Sequence, residues 1–174
     1  LSILGNNIYH GGPAPEPFFN SLFSLNGFGS ISTNQGASYL QKLDLNGNHI
    51  WTRFIDTGGW PYFQKIVTQN NSIYLDLGMN TWGNNPAAYF FIHNGISVTD
   101  TVNSGLGNML LRFNTAGDLI ASYDDSYHWP TEVFSSHLLN ITGDTIFELD
   151  TANLNIIGTH IYPGLSNVQI DDDK

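Results

Sequence analysis

A short sequence pattern occurs twice in the chain, as YLQKLDLNGNHIWTRF from Tyr39 to Phe54 and as MLLRFNTAGDLIASY from Met109 to Tyr123. The copies align without a gap and place Lys42 over Arg112, Gly47 over Gly117 and Ile50 over Ile120. In each copy, alternating residues flank a glycine-containing turn, which predicts a β-hairpin. A hairpin that recurs after roughly seventy positions indicates a repeat architecture.

The sequence around the hairpin repeats as well. A Trp-Pro pair follows each copy, at Trp60-Pro61 and at Trp129-Pro130, and a polar turn followed by a β-prone run comes next. The same closing element occurs near the start, at residues 5–10, and a degenerate further hairpin is predicted from Ile146 to Ile157. Four short antiparallel strands per module is the arrangement of a propeller blade. We therefore predict an all-β fold built from antiparallel four-stranded modules of a β-propeller.

The repeat also predicts how the chain is divided. Residues 1–174 form a single repeat-built β region, and a hairpin around Asn94-Gly95 is inserted at about 87–100. The predicted parts are a half-module at 1–36, a module at 37–107, a module at 108–149 and a partial module at 150–174. Because closed propellers need about four to eight blades, we expect a partial propeller or a fragment of a larger one.

Composition and charge exclude several classes of function. The chain has 174 residues, of which 41% are hydrophobic, and its 18 glycines suit strands joined by tight turns. It carries 5 Lys+Arg against 15 Asp+Glu, so it lacks the basic surface that nucleic acids or anionic membranes require. The absence of cysteine excludes disulfides, Cys-ligated zinc and thiol catalysis. No apolar run approaches the roughly 20 residues of a membrane span.

Three segments resemble the bacterial seven-bladed β-propeller (SBBP) repeats: Gly5 to Tyr9, Ser38 to Trp51 and Asn71 to Tyr74. In that family a GN-x-Y strand, a hairpin of the form KLD-x-x-GN-x-x-W and a second GN-x-Y strand recur. The second copy follows the pattern with Arg112 for Lys42 and Ala121 for Trp51. Such repeats occur in exported and surface proteins, notably of Bacteroidota. The resemblance therefore implies an extracellular binding or spacer role, and it brings no catalytic residues.

The first hairpin turn has two interpretations. Asp44, Asn46 and Asn48 place oxygen-bearing side chains at alternate positions, as a calcium-binding loop does. Alternatively, Asn46-Gly47 supplies the positive φ angles of a type I′ turn. The second copy keeps the glycine and loses the ligand pattern. This difference favours the turn over a calcium site.

Candidate ligand-binding residues lie in the segments between the repeated strands. Aromatic and acidic side chains there could contact a sugar ring or another protein, because loops on a rigid sheet scaffold commonly carry recognition. The candidates are Trp82, Asp124, Asp125, Tyr127 and Trp129. An alternative is that the Trp-Pro tryptophans pack as structural elements and that Asp124-Asp125 lies in a solvated loop.

Two classes of function follow. The first is a non-enzymatic propeller segment of a secreted or cell-surface protein that acts in adhesion, assembly or binding of a protein or glycan. The second is a catalytic propeller, a lyase or hydrolase acting on glycans, which would require acidic or histidine side chains near Lys42, Arg112, Ser38 and Asn108. No paired carboxylates recur between the copies, and no nucleophile elbow is present. The motifs favour the non-enzymatic class, without a cofactor other than the calcium considered above.

A further expectation concerns modification. Asp-Thr pairs followed by an apolar residue match the pattern that Bacteroidota use for O-linked glycans, and they occur at Thr101, Thr145 and Thr151. The resemblance to repeat proteins of Bacteroidota implies this modification, so we predict an acidic extracellular glycoprotein. The Asp-rich end at 171–174 is compatible with a further polar turn or with an appended tail.

Overall fold

The computed structural model describes residues 1–13, 21–24, 30–33, 37–57, 60–80, 88–104, 108–125, 132–134, 137–142 and 144–164. Within these ranges the regular structure consists of strands without a helix, which confirms the predicted all-β class. None of these residues belongs to a helix that is long and apolar enough to cross a membrane. The first eight strands are β1 (Ser2–Leu4), β2 (Asn7–Pro13), β3 (Ser21–Ser24), β4 (Ser30–Thr33), β5 (Ala37–Asp44), β6 (His49–Thr57), β7 (Trp60–Gln69) and β8 (Ser72–Asn80). The remaining strands are β9 (Ala88–His93), β10 (Val98–Ser104), β11 (Asn108–Asn114), β12 (Leu119–Asp125), β13 (Glu132–Phe134), β14 (His137–Thr142), β15 (Thr145–Leu149) and β16 (Ile156–Ile161).

The strands form three larger antiparallel sheets and one small one. The first sheet has the order β1-β2-β5-β6-β9-β10, and the middle sheet has the order β12-β11-β8-β7. The third sheet has the order β13-β14-β15-β16, and β3 and β4 form a two-stranded sheet. Neighbouring strands in each sheet pair antiparallel, as predicted.

Both predicted copies of the hairpin are present, as β5–β6 and β11–β12. A third hairpin, β15–β16, confirms the degenerate copy predicted from Ile146 to Ile157. In each hairpin the register shifts just after the turn, which leaves one extra residue as a β-bulge. The extra residues are Ile50, Ile120 and Ile157, and their side chains are 47%, 48% and 61% exposed. The repeat therefore comprises the turn, the bulge and an exposed isoleucine.

The boundary between the first and middle sheets lies just before the first Trp-Pro pair, which belongs to strand β7. β6 ends at Thr57 and belongs to the first sheet, whereas β7 begins at Trp60 and belongs to the middle sheet. Hairpin β5–β6 therefore shares its sheet with β1–β2, hairpin β11–β12 with β7–β8, and hairpin β15–β16 with β13–β14. The predicted inserted hairpin is present as β9–β10, and it extends the first sheet by pairing β9 with the end of β6.

The middle sheet packs against a neighbour on each face. Successive side chains of a strand point to opposite faces, so Leu110 lies on one face and Leu111 on the other. The cluster between the first and middle sheets contains Tyr9, Leu40, Ile55, Phe90, Ile92, Ile66, Ile73, Leu75, Leu77, Met109, Leu111 and Phe113. The cluster between the middle and third sheets contains Tyr74, Leu110, Leu138, Leu149 and Leu154. Apart from the inserted hairpin β9–β10, which follows β7–β8 in the chain but belongs to the first sheet, the three sheets are thus stacked in chain order.

Candidate functional site

The turns of the three repeated hairpins, β5–β6, β11–β12 and β15–β16, share one hydrogen-bonding design. These turns span residues 44–48, 114–118 and 150–155. In the first turn, Oδ1 of Asp44 accepts hydrogen bonds from the backbone N–H groups of Asn46 and Asn48, each at 2.8 Å. Oδ1 of Asn114 accepts the equivalent bonds in the second turn. In the longer third turn, Oδ1 of Asp150 accepts from the backbone N–H groups of Ala152 and Asn153. A side-chain oxygen at the first position therefore closes every turn.

The first and last residues of the turn are Asp and Asn in the first copy and Asn and Asp in the second. Nδ2 of Asn48 donates to Oδ2 of Asp44 at 2.7 Å, and Nδ2 of Asn114 donates to Oδ2 of Asp118 at 2.9 Å. Each turn thus contains one carboxylate and one amide, in opposite order along the chain. The hydrogen bonds from Asn48, first of its side chain and then of its backbone, lower the pKa of Asp44.

The predicted type I′ conformation of Asn46-Gly47 is wrong. Gly47 has a φ of 83°, but Asn46 does not adopt a positive φ. Gly47 N donates to Asp44 O, and Asp44 N donates to Asn48 O, so the loop is longer than two residues and only its glycine is left-handed. Two consecutive positive φ angles occur instead at Asn70 and Asn71, between β7 and β8.

The calcium hypothesis concerns the same turn. Both carboxylate oxygens of Asp44 accept hydrogen bonds from within the turn, which supports the interpretation of Asp44, Asn46 and Asn48 as turn residues. Within the part of the chain that the structure describes, no group of three His, Cys, Asp or Glu side chains could hold a metal ion. Calcium binding stays a prediction, and a rise in the thermal midpoint on addition of CaCl₂ would support it.

The exchange of carboxylate and amide leads to a testable swap. The Asn48→Asp substitution places two carboxylates against each other, so we expect a lower thermal midpoint at neutral pH than in the wild type. The double substitution Asp44→Asn with Asn48→Asp reproduces the order of Asn114 and Asp118, and we expect it to restore most of the loss. Thermal unfolding followed by circular dichroism measures both effects. A double variant no more stable than Asn48→Asp alone would contradict this account of the turn.

The first hairpin binds the second turn through three side chains. Nζ of Lys42 and Nε1 of Trp51 both donate to the carbonyl of Thr115, at 2.9 and 3.2 Å. Nε of Arg53 donates to the carbonyl of Gly117 at 2.8 Å. Lys42 also lies over the ring of Tyr9, with Nζ 5.8 Å from the ring centroid. The carbonyls of the second turn are therefore satisfied by donors from the preceding sheet.

The second hairpin binds the third turn in the corresponding way. Arg112, which aligns with Lys42, donates from its guanidinium to the carbonyl of Ala152. Its Nε donates to Oγ of Ser72 at 3.0 Å. The hydroxyl of Tyr74 donates to the carbonyl of Thr151 at 3.0 Å. Twice along the chain, a cation at the same hairpin position thus holds the turn of the next hairpin.

The third hairpin carries an anion at this position. The first strand of each repeated hairpin has one residue just before the register shift. This residue is Lys42 in the first hairpin, Arg112 in the second and Glu148 in the third. Glu148 contacts His137 Nδ1 through Oε1, and its Oε2 lies 3.9 Å from His160 Nε2. The third sheet therefore presents a different polar group where the first two present a donor to a turn.

Three of the four residues considered for catalysis have polar structural contacts. Lys42 and Arg112 bind the carbonyl and hydroxyl oxygens described above. Ser38 is fully buried, and its hydroxyl has no hydrogen-bond partner among the described residues. Oδ1 of Asn108 accepts a hydrogen bond from the hydroxyl of Tyr62 at 3.1 Å. These contacts fix strands and turns in place.

The structure locates only part of the predicted ligand-binding set. Trp82, Tyr127 and Trp129 lie outside the described residues, and Asp125 is the last residue of β12. Asp124 is exposed near the end of β12, and its Oδ1 accepts a hydrogen bond from Oγ of Ser104 at 2.9 Å. This bond links β12 to the end of β10. Ligand binding by this set stays a prediction.

The predicted O-glycosylation residues lie in different surroundings. Thr101 is exposed on β10, whereas Thr145 is half-buried at the start of β15. Thr151 lies in the third turn, and its carbonyl accepts the hydrogen bond from Tyr74. Of the three, Thr101 offers its hydroxyl most openly to a modifying enzyme.

Histidine burial predicts a dependence of stability on pH. Burial lowers the pKa of His93 below its ordinary value of 6.5, against an opposing effect of Asp56, and Nε2 of His93 is buried without a hydrogen-bond partner among the described residues. Burial also lowers the pKa of His10 and of His49. As the pH falls, these histidines are protonated in the unfolded chain before they are protonated in the folded chain. The folded state therefore has its full stability above about pH 6.5 and loses stability as the pH falls below that value.

We expect the His93→Gln variant to lose less stability between about pH 7.5 and about pH 5 than the wild type does. Urea unfolding midpoints at the two pH values measure the difference. The Gln variant keeps a polar side chain but has no titrating group. An equal loss in both proteins would show that His93 does not contribute to the acid sensitivity.

Comparison of the sequence with protein-family models and with curated proteins gives no match.

Proposed function

We propose that the chain is a segment of a β-propeller of a secreted or cell-surface protein, related in its repeats to the SBBP type. The observation that carries this proposal is the stacking of the three larger sheets in chain order. Lys42 of the first sheet binds the second turn, and Arg112 of the middle sheet binds the third turn. Four-stranded antiparallel sheets that follow one another in the chain are the units of a propeller.

The proposed role is non-enzymatic and lies in adhesion, assembly or the binding of a protein or glycan. Lys42 and Arg112, the cations that recur in the repeat, donate hydrogen bonds to turn carbonyls, and this supports a scaffold role for them. A rigid sheet scaffold commonly presents its recognition residues on connecting segments. The net charge of −10 favours a partner that is neutral or basic over an anionic one.

A binding experiment that also monitors turnover tests the role. The labelled chain is applied to a glycan array and to a panel of cell-surface proteins, and each bound ligand is recovered after incubation and analysed by mass spectrometry. We expect a retained ligand to keep its covalent structure. Cleavage of any glycan during a time course would contradict the non-enzymatic role.

A separate experiment tests the propeller. Electron microscopy of the chain within its full-length protein is expected to show a ring of radially arranged sheets. An open stack of sheets without a central axis would contradict the propeller and leave the binding experiment unaffected.

A further inference from the structure

β16 is an apolar edge of the third sheet. Among the described strands it pairs with β15 alone. Ile161 is 69% exposed and Tyr162 is 50% exposed, and residues 156–162 contain no Lys, Arg, Asp or Glu. Edge strands of soluble proteins usually carry charges that prevent pairing with another chain. β16 lacks such charges, although it contains the bulge at Ile157.

The second strands of the other two repeated hairpins, β6 and β12, differ from β16. β6 carries Arg53 and Asp56, and its final residues pair antiparallel with β9. β12 ends in Asp124 and Asp125. The first sheet thus shows that the second strand of the repeated hairpin accepts a further antiparallel strand. Of the three such strands, β16 is best suited to accept a strand from another molecule.

The backbone of β16 determines which residues can bond outward. Tyr162 N donates to Asp144 O at 2.7 Å, so these two residues form a hydrogen-bonded pair. The pairs Ile161–Thr145 and Thr159–Phe147 follow one and three positions further along the ladder. Hydrogen-bonded and non-hydrogen-bonded pairs alternate in an antiparallel ladder. Thr159 and Ile161 therefore direct their N–H and C=O groups away from β15, toward a strand added at the edge.

The sequence of β16 is complementary to itself in the register that these groups require. If two copies of β16 run antiparallel with Thr159 opposite Thr159, Ile161 lies opposite Ile157 and Tyr162 lies opposite Ile156. Thr–Thr, β-branched and aromatic–β-branched pairs are all favourable across strands. His160 then lies opposite Gly158, which has no side chain to obstruct it.

We propose that β16 is a self-association site, at which it pairs antiparallel with β16 of a second copy across a two-fold axis at Thr159. The pairing joins the two third sheets into one continuous sheet and covers the exposed isoleucines. A six-residue strand is far smaller than the roughly 20–30 residues per side of a standard interface, so the dimer is weak and concentration-dependent. Since each copy carries a charge of −10, association strengthens as salt screens the repulsion.

Sedimentation velocity over a concentration series tests the site. We expect the wild type to shift from monomer to dimer with rising concentration and the Ile161→Lys variant to stay monomeric over the same range. Ile120→Lys is the matched control, because Ile120 is an exposed isoleucine on the outer strand of the middle sheet. Circular dichroism verifies that both variants are folded. A wild type that is monomeric up to its solubility limit, or a dimer that survives Ile161→Lys, would overturn the proposal.

A cysteine crosslink tests the register. The chain has no cysteine, so Thr159→Cys introduces a single thiol. Directly opposite Cα atoms in a hydrogen-bonded antiparallel pair lie about 5.5 Å apart, within the range that a disulfide spans. We expect mild oxidation to give several-fold more covalent dimer with Thr159→Cys than with Ser122→Cys, an exposed position on β12. Equal crosslinking of the two variants would overturn the two-fold register.

Discussion

Replacement of Leu110 or Leu111 by alanine is expected to lower the free energy of unfolding by about 2–5 kcal/mol in each case. Both side chains are fully buried, at 1% and 0% exposure. They are neighbours in β11 but lie on opposite faces of the middle sheet, since Leu111 packs with the first sheet and Leu110 packs with the third. Each substitution leaves a cavity at a different sheet interface.

Hydrogen exchange measured by mass spectrometry separates the two effects. We expect Leu111→Ala to accelerate exchange mainly in β5 and β6, and Leu110→Ala to accelerate it mainly in β14 and β15. Urea unfolding gives the loss in free energy. Ile120→Ala, at an exposed position of the neighbouring strand, serves as the control and should remain within about 0.5 kcal/mol of the wild type. Identical exchange patterns for the two leucine variants would contradict the stacking of three sheets.

Local patterns explain why the sequence predicts the hairpins. Strand alternation and a turn glycine lie within one short segment, so the two copies at Tyr39–Phe54 and Met109–Tyr123 identify β5–β6 and β11–β12 directly. The inserted hairpin around Asn94-Gly95 and the degenerate copy near the end of the chain follow from the same signals. These elements need no knowledge of distant contacts.

Features that depend on partners distant in the chain are not predictable in this way. The segments that form β6 and β7 have similar alternation, so the sequence does not reveal that they belong to different sheets. The conformation of Asn46 depends on the loop length that the hydrogen bonds close, and a dipeptide signal does not specify that length.

The contacts between sheets were visible in the sequence only in part. The alignment of Lys42 with Arg112 is a signal that a cation is needed at this position. Its target is a backbone carbonyl, at Thr115 or at Ala152, and a carbonyl leaves no trace in residue identity. The aromatic ligand-binding candidates Trp82, Tyr127 and Trp129 lie outside the described residues. Their role in ligand binding stays a prediction.

The Arg112→Met substitution is expected to lower the free energy of unfolding by about 2 kcal/mol. It removes the hydrogen bonds of the guanidinium to Ser72 and to the carbonyl of Ala152. Hydrogen bonds to charged groups contribute about 1.5–3 kcal/mol each, and partial exposure of the side chain reduces that contribution. Methionine keeps the aliphatic part of the side chain, so the loss reports mainly on the polar contacts.

The position of the damage distinguishes a contact between sheets from a general loss of stability. We expect Arg112→Met to accelerate hydrogen exchange at the amides of Asp150 and Leu154, which are bonded within the third turn, more than at Gly47 in the first. Arg112→Lys is the matched control, because Lys42 performs the equivalent contact with the second turn, and it should recover part of the stability. If Arg112→Met left exchange in the third turn unchanged, the repeated cation would not hold successive turns together. The stacking of the sheets would then rest on the apolar clusters alone.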